Sequence, residues 1–396
     1  MIKKISWLVI LASVSVMGYG RTPAAVAHIH GITLSAIDGQ AEQLLLGAHD
    51  GVYALAHDGS TQRISNVTHD FMSFVGDSNL SAVIYASGHP KAGGNLGVIK
   101  SSDAGKTWQP VTAGLNGPVD FHLMALDPTN SDRMYGDMQG LQRSIDGGET
   151  WKRVGNLPEG AYSFAVSGVA LNRLYAASDA GLLISVDDGI NWQPATAPGF
   201  PATLVYSTNT GKLFAFVAGK GLMVVDEQLG NWTVLNNQFG QRVPLSMAQS
   251  SVDPTHLVMK DHANSIWESF DGGLTWDYFI AETALTEQET LGKNLYLQYC
   301  AACHNAMGTG ESYSESFWTV QNYIAAPSMD PPGHSWHHSD KQLAEIITFG
   351  STRTEKMPAW KDILSPSDVE NIIAYIKTMW TQRELDCQGD KHMSCM

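Results

Sequence analysis

The chain has 396 residues, 43% of them hydrophobic and 16% charged, and a formal net charge of −15. A length well beyond one ordinary core predicts two domains. The acidic balance offers no general attraction to phosphate and argues against nucleic acid as a partner.

Lys3 and Lys4 lead into an apolar run over 5–17, too short for a membrane span and of the kind that opens a signal peptide. Small residues at Gly18-Tyr19-Gly20, Pro23-Ala24-Ala25 and Ala25-Val26-Ala27 leave cleavage open between 20 and 27. Residues 1–27 are expected to be a signal peptide, and the mature protein to be periplasmic or otherwise exported, with no membrane span.

Residues 28–280 are repetitive. Ser102-Asp103-Ala104-Gly105-Lys106-Thr107-Trp108 is followed by Ile145-Asp146-Gly147-Gly148-Glu149-Thr150-Trp151, Val186-Asp187-Asp188-Gly189-Ile190-Asn191-Trp192 and Phe270-Asp271-Gly272-Gly273-Leu274-Thr275-Trp276. A worn copy ends Gly230-Asn231-Trp232. The beat of about 42 residues is that of a propeller blade. The segments resemble the Asp box of BNR, or sialidase-like, β-propellers. That resemblance implies a turn between the third and fourth strands of each blade, its Asp bonding turn amides and its Trp packing between blades. Extending each segment backwards gives four strands; in blade three they are expected over 121–126, 133–137, 141–145 and 150–154. The fold class expected over 28–280 is an all-β, six-bladed β-propeller. A seven-bladed ring is the alternative, its extra blade hidden in the signal region.

After residue 280 the pattern becomes helical. Thr286 with Glu289, Ser339 with Gln342 and Ser365-Pro366 mark three helix starts, the first helix running to Tyr299 and the second ending at Gly350. Cys300-Ala301-Ala302-Cys303-His304 reads as a c-type haem attachment site, with thioethers at Cys300 and Cys303 and His304 as proximal ligand. Residues 286–396 thus resemble a small all-α class I cytochrome c domain. Lys356-Met357-Pro358-Ala359-Trp360 resembles the loop that supplies the distal Met in that family, which implies Met357 as sixth ligand; His334, His337 and His338 are the competitors. A thioether there leaves no open iron position and suits an electron carrier. Pro331-Pro332-Gly333-His334-Ser335-Trp336-His337-His338-Ser339-Asp340 resembles a segment of some bacterial cytochromes c and reads as a loop that packs Trp336 near the haem. The remaining cysteines, Cys387 and Cys395, are expected to pair, as an oxidising compartment permits.

Within the propeller, His28, His30, Asp70, Asp120 and His122 open A strands, while His49, His89, Asp137, Asp179 and His262 lie at or beside B–C turns. These positions share one end of a blade. His30, His49, Asp70, His89, Asp120 and His122 are therefore expected to form one ligand site at the mouth of the channel. Imidazoles favour copper or zinc there; the alternative is that they serve only turn hydrogen bonds. The same stretches resemble an Asp-box family often labelled glycosyl hydrolase, but the arginine cluster of sialidases is missing from this rim. The expected function is haem c electron transfer with a redox partner protein, the propeller holding a metal ion or small ligand. A propeller that only docks the cytochrome to its partner is the second reading, and a hydrolase the third. Enzyme activity is left open; an oxidoreductase is the class it would belong to.

Overall fold

In the computed structural model, six runs of alternating apolar and small residues form the inner strands of a ring. The structure describes residues 23, 26, 28–37, 39–196, 199–280 and 284–395, so the expected signal peptide over 1–27 lies outside the described residues except at 23 and 26. The inner, or A, strands are Ile29–Ser35, Asp70–Gly76, Leu123–Leu126, Ala161–Val166, Ala202–Ser207 and Pro244–Gln249. Each begins a four-stranded antiparallel sheet whose strands follow in chain order. Neighbouring A strands pack together and the sixth packs on the first, so the chain folds as a six-bladed β-propeller. The seven-bladed alternative is not what forms.

Every blade is one contiguous stretch, so the ring closes by side chains and not by a shared sheet. Ile29, Ile32, Leu34 and Leu46 of blade one share a core with Val258, Ile266, Phe279 and Ile280 of blade six. The Glu42 carboxylate accepts from the Ser251 amide at 2.9 Å, and His57 Nε2 meets Glu268 Oε2 at 2.9 Å.

The four repeat turns lie between C and D strands and share their Ser and Asp hydrogen bonds, while the Trp bond to the turn glycine is made in three of them and Trp192 Nε1 donates to Asn156 O instead. In blade three, Ser144 Oγ accepts from Gly148 N at 2.9 Å, and Asp146 Oδ1 accepts from Thr150 N at 2.9 Å. Trp151 Nε1 donates to Gly148 O at 2.9 Å, and its ring stands 5.0 Å from Phe121. Gly148 has φ of 92°, a left-handed conformation that Gly adopts without steric cost. The A strand of this blade starts at Leu123 rather than 121, because the Phe121 amide bonds Ser87 Oγ of blade two at 3.0 Å instead of joining the ladder.

The C-terminal part holds helices α1 (Glu287–Tyr299), α2 (Ala301–His304), α3 (Glu315–Thr319), α4 (Asp340–Phe349), α5 (Pro366–Lys377) and α6 (Gln382–Asp386). Capping boxes at Thr286, Ser339 and Ser365 start α1, α4 and α5, as the sequence predicts. Helices α1 and α5 cross at Gly292, where an added Cβ would lie 1.9 Å from Asn371 O, so only Gly allows the approach. Cys387 and Cys395 are joined in a disulfide with Cα atoms 6.0 Å apart. Among the described residues, no helix is long and apolar enough to cross a membrane.

Candidate functional site: a haem-attachment loop and a histidine–aspartate rim

Helix α1 delivers Cys300 at its C-cap, and the single turn of α2 carries Cys303 and the buried His304. Tyr296 reaches over this turn and donates to Asn305 O at 2.9 Å. His304 Nδ1 lies 2.8 Å from Pro327 O. A carbonyl only accepts, so Nδ1 carries the proton and Nε2 keeps its lone pair, the tautomer an iron ligand needs. Burial holds the His304 imidazole below the ordinary histidine range, hence neutral. Cys300 and Cys303 are free thiols, and burial pushes Cys300 up to about 11. These residues fit a covalent haem: two uncommitted thiols on one turn, followed by an imidazole of fixed tautomer.

Met357 lies in the loop after α4 and packs on the core of the helical domain. Its carbonyl accepts from Ser351 N at 3.1 Å, which ties the loop back to the end of α4. The competing histidines gather with one another and with His392. His337 stacks on His392 with ring centroids 4.8 Å apart, and His334 lies within 5.9 Å of His338 by the same measure. Trp336 is buried, its indole N–H donating to Gly333 O at 3.0 Å.

At the propeller rim, the first pair of each A–B ladder sets the geometry. These pairs are Ile29 with Ala48, Asp70 with His89, Ala161 with Ser178, Ala202 with Val217, and Pro244 with Asp261. A β-bulge follows in each of these five blades and bends the strand end. The six expected site residues do meet at this end, but as two triads with no member in common. His30 Nε2, His49 Nδ1 and Asp70 Oδ1 converge, with separations of 3.3 Å between the imidazoles, 2.9 Å from His49 to Asp70 and 3.6 Å from His30 to Asp70. His89 Nε2 and His122 Nε2 approach the same Asp120 Oδ2 at 3.1 and 2.8 Å. His30 and His122 also line the axial channel, a space of about 210 Å³. Burial, then the neighbouring His49, hold the His30 imidazole below its ordinary range.

The other rim residues are occupied locally. Asp179 accepts from Tyr162 Oη at 2.6 Å, Asp50 from Tyr53 Oη at 2.9 Å, and His262 Nδ1 from Val243 N at 3.2 Å.

The same end of the ring, at blades five and six, receives the helical domain. Gln241 N donates to Thr309 O at 2.8 Å, and Gly240 N to Ser312 Oγ at 2.9 Å. Arg242, 2% exposed, pairs with Asp330 and lies 3.6 Å from Asp261. Asp330 is three residues beyond Pro327, so the clamp grips the loop that orients His304. No motif marks Arg242 in the sequence; only the tertiary contact shows it.

The fold and the matched region define a six-bladed β-propeller followed by a small helical cytochrome c domain. Residues 287–376 match the family described as cytochrome c oxidase, cbb3-type, subunit III. No curated protein matches the chain. Similar solved structures include a GH74 enzyme from Niastella koreensis, 17% identical with a TM-score of 0.45, covering 64% of this chain and 45% of that one. A GH74 xyloglucanase from Xanthomonas campestris is 16% identical with a TM-score of 0.45, covering 72% of this chain and 48% of that one. YCF48 from Cyanidioschyzon merolae is 16% identical with a TM-score of 0.30, covering 52% and 83%. The chain spans under half the length of the two GH74 structures, and the likeness concerns fold alone.

Proposed function

We propose that the protein is an exported haem c electron carrier whose propeller holds a metal ion at its histidine–aspartate rim. The observation that carries the first part is the His304 site: a neutral, buried imidazole with Nδ1 committed to Pro327 O, one residue after Cys303. Haem held there would supply one-electron chemistry. The Cys300 and Cys303 thiols would attach it, and the His304 imidazole and the Met357 thioether would hold its iron. With both residues committed to iron, the domain would exchange electrons with a redox partner protein rather than bind substrate at the metal. The repeat turns, with Trp108, Trp151 and Trp276 buried, support an Asp-box propeller. The lysine-led apolar N-terminal run and the disulfide support a periplasmic or otherwise exported location.

Attachment is tested by acid-acetone extraction of the matured protein. The pigment is expected to stay with the polypeptide, and His304→Ala to lose the native low-spin spectrum. Met357→Ala is expected to lose the near-infrared charge-transfer band of Met–haem ligation. Extractable haem in the wild type would defeat the reading, and a persistent band in the Met357 variant would reassign the distal ligand.

A further inference from the structure

We propose that the rim holds two separate mononuclear metal sites, one from His30, His49 and Asp70 across blades one and two, the other from His89, Asp120 and His122 across blades two and three, each taking one copper(II) or zinc(II) ion. This rests on the metal-holding reading of the rim and deepens it, since the sequence alone had suggested one shared site.

The donor spacing is that of ligands around an ion. Two bonds of about 2.0–2.1 Å place their donors about 2.9 Å apart at a right angle and about 3.4 Å apart at the tetrahedral angle. The separations between each imidazole and its Asp, and between His30 and His49, run from 2.8 to 3.6 Å. With neutral imidazoles, hydrogen bonding does not account for all of them. His89 Nδ1 faces Gly94 O at 3.0 Å and so carries the proton. In the neutral ring, Nε2 then turns a lone pair toward the Asp120 carboxylate at 3.1 Å. That contact is repulsive until a cation, either a second proton on the imidazole or a metal, stands between them. The carbonyl also fixes the ring's orientation, as an outer-shell partner does for a ligating histidine.

In the first triad, one proton on His49 Nδ1 serves either Asp70 or His30, never both, whereas an ion satisfies all three donors together. Asp70 Oδ1 is buried and faces both imidazoles, yet no hydrogen bond of good geometry reaches it, although His49 Nδ1 lies 2.9 Å away. Each triad has two imidazoles and one carboxylate, and three protein donors leave a further coordination position open. That donor set suits copper(II) and zinc(II) better than magnesium or calcium, which take all-oxygen shells.

The sites are separate because blade two is split between them. Asp70 and His89 are opposed partners in one ladder, yet Asp70 joins blade one and His89 joins blade three. Gly88, beside His89, makes this register fit: an added Cβ would lie 1.9 Å from Asp70 O.

The covalent haem provides an internal count of chains. Untagged, haem-loaded protein is stripped with chelator, dialysed against buffered zinc(II), and its zinc-to-iron ratio measured by mass spectrometry. His49 and His122 are 46% and 60% exposed, so Ala at either position leaves the core intact, which circular dichroism checks. The expected ratio is two for wild type, one for His49→Ala, one for His122→Ala and zero for the double variant. A ratio of one, lost in either single variant, would overturn the two-site inference and leave a single rim metal standing. A ratio of zero in wild type with a normal haem spectrum would overturn both the inference and the metal-holding reading, while haem attachment would survive.

Discussion

Blades two and six each put a carboxylate into the first A–B ladder pair, on the A strand in blade two and on the B strand in blade six. In blade two the first A–B ladder pair is Asp70 with His89; in blade six it is Pro244 with Asp261. Asp261 is fully buried and saturated, accepting from Ala263 N at 2.8 Å, Ser265 N at 2.9 Å and Trp267 Nε1 at 3.0 Å, with Arg242 beside it. Asp70 is half-buried and meets only imidazoles, both at Oδ1, with no well-aligned hydrogen bond to that oxygen. Blade four stands between these cases, its Asp179 quenched by one tyrosine. A carboxylate at this rim thus becomes part of a structural clamp where the cytochrome domain covers it and a ligand-competent group where the rim is open. Burial and the count of donors decide which, because a buried charge is tolerable only when paired.

The clamp gives the largest test of this contrast. Removing one partner of a buried ion pair costs about 3–5 kcal/mol, since the other charge is left uncompensated. Arg242→Ala strands Asp330 in that way. In denaturant titrations the haem absorbance and the propeller's tryptophan fluorescence are expected to unfold together in wild type and to separate in this variant, the haem-linked transition moving to lower denaturant. Arg242→Met combined with Asp330→Leu removes both charges while keeping bulk, and is expected to recover most of the loss, because Asp261 retains its own three donors. Equal destabilisation by the single and double variants would mean that packing, and not charge, holds the domains together.

The open half of the rim gives an effect of opposite sign that is smaller at each site. Every ion that binds only the folded state adds about 2.7 kcal/mol at a hundredfold excess over its dissociation constant. Zinc(II) at that excess is expected to raise the propeller's unfolding midpoint in wild type and to leave the His49→Ala, His122→Ala double variant unmoved. The same shift in both proteins would place the ion away from these triads.

What the sequence made legible was local. A capping box spans four residues, so Thr286, Ser339 and Ser365 announced three helices that form where expected. The recurring turn and its Trp announced five of the six blades for the same reason, and the first was read from its strand pattern without it. The short helices α2, α3 and α6 carry too few residues for a periodic signal. The rim bulges were invisible because they depend on how a strand end meets its neighbour. The division of six ligand candidates into two triads follows from those strand ends, and so it too was beyond a reading of spacing. Arg242 and Asp330 are 88 residues apart in different domains, and each alone is an ordinary charged residue in a loop. Glu268 likewise gave no sign that it would gather His57 and His256 at the seam where the ring closes.

The repeat turns lie at the opposite end of the blades from both halves of the rim, and they supply the smallest prediction. Hydrogen bonds from the Thr150 hydroxyl and amide, with help from Ser144, hold the Asp146 carboxyl at about 2. An unperturbed Asp titrates near about 3.9. A folded value below the unfolded one stabilises the fold at every pH above the unfolded value, and that contribution disappears as pH falls through the folded value. The gap in unfolding midpoint between wild type and Asp146→Ala is therefore expected to be constant near neutrality and to close between about pH 4 and about pH 2. Because Asp146 is exposed, the gap is small and shrinks with added salt. A gap that persists undiminished at pH 2 would assign the turn's role to backbone geometry, with the Gly148 conformation and the Trp151 contact holding it regardless of charge. Zinc(II) is expected to leave the gap unchanged, since its ligands lie at the far end of the strands; a zinc-dependent gap would show that the two ends of the blades are coupled.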